Sequence, residues 1–384
     1  MSSPTPPPPV FVATADALDR LVGLLADSPT VAVDTESNSL HAYRERVCLI
    51  QFSIPAGDFI VDPIALPDLH ALAPVFASPS QEKILHAAEN DLLSLSRDFG
   101  FSFANIFDTM TAARTLGWPQ VGLAAILETQ FAVTLDKKFQ RADWGRRPLT
   151  AEMLDYARFD TRYLAALRAK QFEALDQSGY WPEAHEEFAR LARVRVERNG
   201  TGPDPMAFWR VKGALDLTPS RAAVLQALFA WREAQAERGD RPPFKVMSEA
   251  SLLALARHAP VKASDLARIG GLSPIQVQRH GRHLLRVMQD AAQAPPPERP
   301  ALDREPDDVM ERYEKLHAWR KARARQRGVE SDVIVPRAAL RAMARRPPRT
   351  VDDLAEVVDL GPWRRQAYGE ELIALLAASD AGPS

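Results

Sequence analysis

The stretch VAVDTE, residues 31–36, decides how the first half of the chain is interpreted. Its apolar residues predict a buried β-strand, and the strand ends in the acidic pair Asp34 and Glu36. Side chains two positions apart on a strand point to the same face, so both carboxylates are presented to one point. Adjacent carboxylates repel each other unless cations neutralise them, and their hard oxygen atoms suit Mg²⁺ or Mn²⁺. Taken alone, the pair is more simply interpreted as a polar strand end that caps the next element.

Two further apolar segments, 47–54 and 59–61, are bounded by turn residues and predict additional strands. Helical periodicity follows near residues 66–76, 90–98, 108–116, 121–130 and 151–175. Early strands followed by helices are typical of an α/β domain with a mixed sheet.

Two more acidic residues lie in segments that predict helices. Asp91 follows the small-residue turn of ILHAAEN (84–90), where a helix should begin, and a helix cap is the simpler interpretation of this position. Tyr156 and Asp160 are four positions apart, so the phenol and the carboxylate share one helix face. A phenol beside a metal-bound carboxylate can orient an attacking water molecule. A core tyrosine beside a solvated Asp160 is the alternative.

The second half of the chain contains an internal repeat. Residues 228–285 match 316–373 at a constant offset of 88 positions, without a gap. Trp231 and Trp319 occupy equivalent positions, and we expect each to lie in the core of its copy. Each copy predicts a small all-helical module, and a proline-rich segment, 291–306, separates the two.

The composition is that of a globular protein, and 384 residues predict two or three domains. No apolar run has the roughly 18 residues of a membrane span, and the N-terminus lacks the features of a secretory signal. Cys48 is the only cysteine, which excludes an intramolecular disulfide and fits a reducing cytoplasm. Residues 1–200 hold 19 Lys and Arg against 26 Asp and Glu, whereas residues 201–384 hold 29 against 24. An acidic half that could hold cations therefore precedes a basic half that could hold phosphates.

Read together, the acidic motifs and Tyr156 resemble the DEDD exonucleases, in their tyrosine-containing branch. The segment TLDKKFQRADWGRRPL (134–149) looks like a signature of bacterial ribonuclease D, and the two repeats are similar to HRDC domains, which are helical nucleic-acid-binding modules. The resemblance covers nearly the whole chain. It implies a ribonuclease H-like α/β exonuclease domain, with a mixed sheet flanked by helices, followed by two small all-α HRDC domains. The expected layout is a disordered leader (1–10), the exonuclease domain (11–178), a helical or linker segment (179–209), the first HRDC domain (210–290), the linker (291–306) and the second HRDC domain (307–380).

The resemblance also implies two-metal phosphodiester hydrolysis with Mg²⁺ or Mn²⁺. Asp34 would bridge both ions, Glu36 and Asp160 would hold the ion that activates water, and Asp91 would hold the second ion. Tyr156 would orient the nucleophile, and the product would be a nucleoside 5′-monophosphate.

Several basic and aromatic residues are candidate RNA contacts. In the signature segment and before Asp91 they are Lys137, Arg141, Trp144, Arg147 and His86. In the second repeat they form the basic run Arg320, Lys321, Arg323, Arg325 and Arg327. Core packing is an equal alternative for Trp144, a structural hydrogen bond is favoured for His86, a helix cap for Asp108, and a solvated helix is the alternative for the basic run.

The sequence therefore predicts a cytoplasmic 3′→5′ exoribonuclease that processes tRNA precursors and other structured RNA, with no membrane association and no obligate protein partner. A DNA-directed 3′→5′ exonuclease and a non-catalytic RNA-binding protein are the alternatives.

Overall fold

The computed structural model describes residues 7–195, 204–269, 271–301 and 305–380. Its sheet has six strands in the spatial order β1-β4-β3-β2-β5-β6. The strands are β1 (Val10–Val12), β2 (Thr30–Ser37), β3 (Val47–Ile54), β4 (Gly57–Val61), β5 (Glu82–Leu85) and β6 (Ile106–Asp108). β3 runs antiparallel to both of its neighbours, and all other neighbouring pairs are parallel, so the predicted mixed sheet is confirmed. Of the predicted leader, residues 1–6 lie outside the described residues and Val10 belongs to β1.

Helices follow the strands in the order expected of an α/β domain. They are α1 (Ala15–Ala26), α2 (Ala73–Ala77), α3 (Glu89–Phe99), α4 (Thr109–Thr115), α5 (Leu123–Phe131), α6 (Ala151–Arg162), α7 (Leu164–Gln177) and α8 (Trp181–Leu191). The single helix predicted over 151–175 is two helices that meet at Tyr163, and the segment 66–76 holds only a 3₁₀ turn and the start of α2.

The sheet has a different layer on each face. Alternate residues of β2 and β3, among them Val33 and Phe52, join the largest apolar core on one face. The other face carries Asp34 and Glu36, and α6 packs across it against β2, β3 and β4. This second layer brings Tyr156 and Asp160 of α6 to the acidic end of β2.

Each sequence repeat forms five short helical elements in the same order. The first contains α9 (Pro219–Arg238), α10 (Pro243–Val246), α11 (Glu249–His258), α12 (Ala263–Leu266) and α13 (Pro274–Ala292). The second contains α14 (Asp307–Arg327), α15 (Ser331–Ile334), α16 (Arg337–Arg345), a 3₁₀ helix (Asp352–Glu356) and α17 (Pro362–Asp380). Four of the five helix starts keep the 88-residue offset, and the start of the 3₁₀ helix is shifted by one residue. The two tryptophans pack in or against the cores of their copies.

The described residues fall into two compact units that do not follow the repeats. One unit combines the sheet and helices α1–α8 with the second repeat, whereas the other holds residues 38–46 and the described part of 197–303, which includes the first repeat. No helix in the described ranges is long and apolar enough to span a bilayer.

Within the first unit, the second repeat docks on α8 through buried ion pairs. The guanidinium of Arg327 approaches the Glu183 carboxylate to 2.5 Å, and that of Arg364 lies 2.7 Å from the carboxylate of Glu186. Glu186 also accepts a hydrogen bond from the N–H of Gly361, just before α17 begins. A Cβ atom on Gly361 would overlap the Glu186 side chain, so this approach requires glycine.

Candidate active site

Strand β2 carries the first two acidic residues. Asp34 and Glu36 lie on one face of the strand, in cross-strand pairs with Gln51 and Leu49 of β3. Both acidic side chains are partly buried. A register shift of the β2–β3 ladder follows Glu36, so regular pairing ends where the second carboxylate is presented.

Asp91 lies in the first turn of α3, which follows β5. Because β5 runs parallel to β2, the carboxyl ends of both strands meet at one edge of the sheet, and this brings Asp91 to β2. The hydroxyl of Thr35 donates a hydrogen bond to the Asp91 carboxylate. Ala88 is the N-cap of α3, so the interpretation of Asp91 as the helix cap is wrong.

Asp108 holds the turn that precedes α3. Its carboxylate accepts hydrogen bonds from the N–H groups of Ala87 and Ala88, at 3.0 and 3.1 Å. Ala87 has a φ of 58°, a left-handed conformation that a residue other than glycine adopts only when its surroundings impose it. Asp108 also caps α4 by accepting from Met110 N–H, which confirms the helix-cap prediction. Its second role could not be predicted from the sequence, because that role depends on a turn about twenty residues away.

Helix α6 presents Tyr156 and Asp160 from above the sheet. The Tyr156 ring packs against Phe139, with centroids 5.7 Å apart, and against Trp144, at 6.1 Å. Both Tyr156 and Asp160 remain partly exposed, because they also line a cavity beside the helix.

Electrostatics link the four acidic residues from three separate chain segments. Burial raises the pKa of Asp34 well above its usual value, and the charges of Asp91, Asp160 and Glu36 raise it further. Burial, followed by the charges of Asp160 and Asp91, raises the pKa of Glu36 to about 9. Burial and the charge of Asp91 raise the pKa of Asp160 to about 7. Burial also raises the pKa of Asp91 to about 7, although the hydrogen bond from Thr35 opposes this rise.

Such a set of mutually repelling oxygen donors fits hard divalent cations. In the described part of the chain, no three His, Cys, Asp or Glu side chains are already grouped so that they could hold a metal ion. The charges of the four carboxylates nevertheless interact with one another.

A cavity of about 350 Å³ adjoins the acidic cluster. Its walls come from the loop after α5 and from α6, and they include Lys138, Phe139, Glu152, Tyr156, Phe159 and Asp160. Lys138 and Glu152 form an exposed ion pair of 2.7 Å at the cavity. The combination of aromatic walls, a cation and an acidic end is suited to a nucleotide.

The structure separates the predicted RNA contacts near the site into two groups. Lys137 and Arg141 are exposed. Trp144 is only 1% exposed and lies in the core beneath α6. Arg147 binds Asp62 through two nitrogens, at 2.6 and 2.7 Å, and donates to the carbonyl of Cys48. The side chains of Trp144 and Arg147 are therefore engaged in contacts within the protein itself.

His86 is partly buried beside α4. Its Nδ1 lies 2.9 Å from the hydroxyl of Thr109, and burial lowers the pKa of the His86 ring. This contact agrees with the structural hydrogen bond favoured for His86.

The five residues of the basic run in the second repeat also differ in burial and in their contacts. Arg320 is buried and donates to the carbonyl of Val335, and Arg323 donates to Glu371 at 2.9 Å. Arg327 is the partner of Glu183. Only Lys321 and Arg325 of the five are exposed.

Gln51 is a residue that the sequence did not single out. It is fully buried, and neither polar atom of its side chain has a hydrogen-bond partner among the described residues. As the cross-strand partner of Asp34, it points to the same face of the sheet. Its position inside the apolar run VCLIQFSI concealed it.

Comparison with known families finds one family that matches the first part of the chain and a second family that matches each of the two repeats. The 3′-5′ exonuclease family matches residues 9–174, which contain all four acidic residues and Tyr156. The HRDC domain family matches residues 221–288 and 309–376, again 88 positions apart.

Individual relatives cover more of the chain. Ribonuclease D of Shewanella sp. (strain ANA-3) is 32% identical over 75% of this chain and 74% of its own length. Ribonuclease D of Escherichia coli (strain K12) is 32% identical over 74% of this chain and 75% of its own. The exosome complex exonuclease RRP6 of Saccharomyces cerevisiae is 30% identical over 74% of this chain, but the match spans only 40% of the yeast protein.

Among solved structures, E. coli RNase D, described as an exoribonuclease involved in structured RNA processing, superposes with a TM-score of 0.69. It is 26% identical, and the match covers 96% of this chain and 99% of the other. The catalytic core of RRP6 from Trypanosoma brucei has a TM-score of 0.65 at 31% identity, over 76% of this chain and 81% of the other.

Proposed function

The chain belongs to the ribonuclease D family of 3′→5′ exoribonucleases, and we propose that Asp34, Glu36, Asp91 and Asp160 are the residues through which it hydrolyses RNA. The observation that carries this proposal is the convergence of carboxylates from β2, α3 and α6, which raise one another's pKa values. Buried carboxylates that lie close together without a counterion destabilise a fold. Bound cations therefore best explain why four of them occur here.

The donor set suits two divalent ions, Mg²⁺ or Mn²⁺. Asp34 is the proposed bridging ligand because of the resemblance to the DEDD exonucleases, and its charge interacts with those of all three other carboxylates. Glu36 and Asp160 would hold one ion and Asp91 the other. Ions bound there would lower the pKa of the attacking water and stabilise negative charge on the leaving 3′ oxygen.

Tyr156 would position the attacking water. Burial, followed by the charges of Asp160, Glu36 and Asp34, raises the pKa of its phenol, so the hydroxyl keeps its proton at neutral pH. A neutral hydroxyl both donates and accepts a hydrogen bond, and it can therefore orient a water molecule without removing its proton.

The cavity beside α6 is the proposed site for the terminal nucleotide. Its volume lies within the range of roughly 300–1,000 Å³ that small-molecule sites occupy. Phe139 and Phe159 offer apolar surface to a base, and Lys138 offers a cation. The exposed Lys137 and Arg141 remain candidates for contacts to the RNA backbone.

The proposed substrates are tRNA precursors and other structured RNAs, and the proposed location is the cytoplasm, without an obligate protein partner. A DNA-directed exonuclease would use the same acidic chemistry and remains the second candidate. Degradation of a 3′-extended tRNA and of a single-stranded DNA of the same sequence, with and without Mn²⁺, distinguishes the two. Faster release of nucleoside 5′-monophosphates from the RNA supports the proposal, and a preference for DNA contradicts it.

The assignment of Asp34 is tested by Asp34→Asn. We expect hydrolysis of RNA to fall by at least about 10³-fold, because a ligand shared by both ions is lost. RNA affinity measured with Ca²⁺ should change little, since distant phosphate contacts remain. Tyr156→Phe should cost less than Asp34→Asn, because it impairs only the positioning of water.

The matched control is Asp176→Asn, which removes an exposed carboxylate near the end of α7. It should leave turnover unchanged. Equal turnover in wild type and Asp34→Asn would remove Asp34 from the reaction.

A further inference from the structure

Helix α13 of the first repeat carries a row of arginines on its exposed face. Arg279, Arg282 and Arg286 follow one another at spacings of three and four residues, so they lie on one side of the helix. At a rise of 1.5 Å per residue, the row is roughly 10 Å long.

These arginines have no structural partner that explains them. All three are exposed, and none forms an ion pair or a side-chain hydrogen bond within the described residues. Three like charges on one helix face repel each other and contribute nothing to packing. Their arrangement therefore points to an external anion.

The surface next to the row adds to its positive potential. His280 packs edge-on against Trp231, and burial together with the charges of Arg279, Arg241 and His283 lowers the pKa of the His280 ring. Arg279 comes from α13 and Arg241 from the turn before α10, so the positive surface is wider than a single helix.

The second repeat provides an internal comparison for this surface. At the 88-residue offset, alanine (Ala367), glutamate (Glu370) and alanine (Ala374) stand in α17 where the first repeat has its three arginines. Arg241 is likewise replaced by Val329.

The arginines that dock the second repeat on α8 have no counterparts in the first repeat. Arg327 and Arg364, which bind Glu183 and Glu186, correspond to Gly239 and Gln276 in the first repeat. The first repeat thus lacks the docking arginines and carries the unpaired ones. The two repeats therefore differ in the role of their arginines: two in the second repeat bind α8, whereas three in the first are exposed.

We infer that Arg279, Arg282 and Arg286 form a binding surface for the phosphate backbone of the RNA substrate. The inference rests on the proposed exoribonuclease function, which supplies RNA as the polyanion that meets this surface. Phosphates along an RNA chain match a row of unpaired guanidinium groups in charge, and guanidinium binds phosphate oxygens with two parallel hydrogen bonds. It follows that the first repeat, and not the basic run of the second, supplies most of the remote affinity.

The test uses full-length protein with the three substitutions Arg279→Gln, Arg282→Gln and Arg286→Gln. Affinity for a fluorescent single-stranded RNA of about 30 nucleotides is measured in EDTA, which prevents hydrolysis, across a salt series. The dissociation constant at low salt should rise at least about tenfold, and the slope of log K against log salt should become shallower by about 2, or about 0.7 for each lost phosphate contact. With Mn²⁺, KM for this RNA should rise while kcat is unchanged, and the Arg→Lys variants at the same positions should retain most of the affinity.

The matched control removes three exposed cations of the second repeat, with Lys321→Gln, Arg325→Gln and Arg341→Gln. Unchanged affinity in the α13 variant, or an equal loss in this control, would overturn the inference, since the loss would then reflect net charge alone. Turnover of an RNA of about four nucleotides, which offers too few phosphates to depend on a second binding surface, separates the two claims. If wild-type protein does not degrade it, the proposed function fails, whereas the binding comparison still decides the role of α13.

Discussion

Gln51 shows at the scale of single residues how the site departs from an ordinary protein interior. A buried amide without hydrogen-bond partners destabilises a protein by about 1–3 kcal/mol. Gln51 nevertheless faces the same side of the sheet as Asp34, beneath α6. Its N–H₂ group is suited to donate to a carboxylate or to a group that binds between the sheet and α6. We therefore expect Gln51 to be a positioning residue whose hydrogen bonds form when the site is loaded.

The variant Gln51→Met tests this expectation. Removal of the unpaired amide should raise the free energy of unfolding of the metal-free protein by about 1 kcal/mol. The affinity for Mn²⁺, measured by calorimetry, or kcat on short RNA should fall, because the donor is lost. A merely structural role would move stability alone.

Gln171→Met is the control. Gln171 is equally buried, but its amide donates to the Thr109 carbonyl at 2.8 Å. This variant should lose stability and keep its Mn²⁺ affinity. The same Mn²⁺ affinity in both variants would remove Gln51 from the site.

Two pairs of candidate site residues can be recognised in the sequence because their spacing is local, whereas the residues that surround them cannot. Asp34 with Glu36, and Tyr156 with Asp160, share a face at spacings that can be read from the sequence. Asp108 and Gln51 act through partners that only the folded sheet brings close. Arg147 was a candidate RNA contact because the sequence does not reveal its partner, Asp62, which lies 85 positions earlier in the chain.

At the scale of elements, the longer strands and helices could be predicted from the sequence, and the shortest strands could not. Strands β5 and β6 have four and three residues, too few for a periodic pattern. β5 also contains Lys83, a residue that is rare inside strands. The Lys83 side chain is nevertheless fully buried, and its Nζ donates to the carbonyls of Ser78 and Gln81, at 2.6 and 2.7 Å. Tertiary hydrogen bonds thus override the local preference of this residue.

Lys83 predicts a stability change at alkaline pH. Burial lowers the pKa of Lys83 to about 8 in the folded protein, although Glu82 opposes the effect. In the unfolded chain the value is about 10.4, so between these pH values the unfolded state binds more protons and stability should rise with pH. Urea unfolding of wild type and Lys83→Met across this range measures the effect. The stability of wild type relative to the variant should increase as pH rises, and parallel pH profiles would show that Lys83 stays charged in the fold.

At the scale of the molecule, the second repeat belongs to the same compact unit as the sheet. The sequence could not indicate this, because both repeats show the same helical pattern and the arginines that dock one of them resemble a nucleic-acid-binding run. Arg364 illustrates the difference. Besides Glu186, it donates to the carbonyls of Val333 and Ile334, so it joins α8, α15 and α17.

Disruption of this docking should destabilise the unit. Glu186→Ala leaves the buried guanidinium of Arg364 without its closest carboxylate and also frees the N–H groups of Gly361 and Trp363. We expect a loss of about 3 kcal/mol in the free energy of unfolding, the usual result of breaking a buried pair from one side. Glu173→Ala, at an exposed position of α7, should change it by less than about 0.5 kcal/mol. If both variants unfold at the same urea concentration, the ion pair does not hold the repeat in place.

The discontinuous composition of this unit has a consequence for the order of events during synthesis. Its last segment, beginning at residue 304, leaves the ribosome only after the intervening residues 197–303 have been translated. At roughly 5–20 residues per second, this delay is on the order of 5–20 s. During that time the nascent chain already carries all four carboxylates of the proposed active site, but Glu183 and Glu186 still lack the arginines that will neutralise them. Completion of this compact unit therefore waits until the segment that begins at residue 304 has been translated.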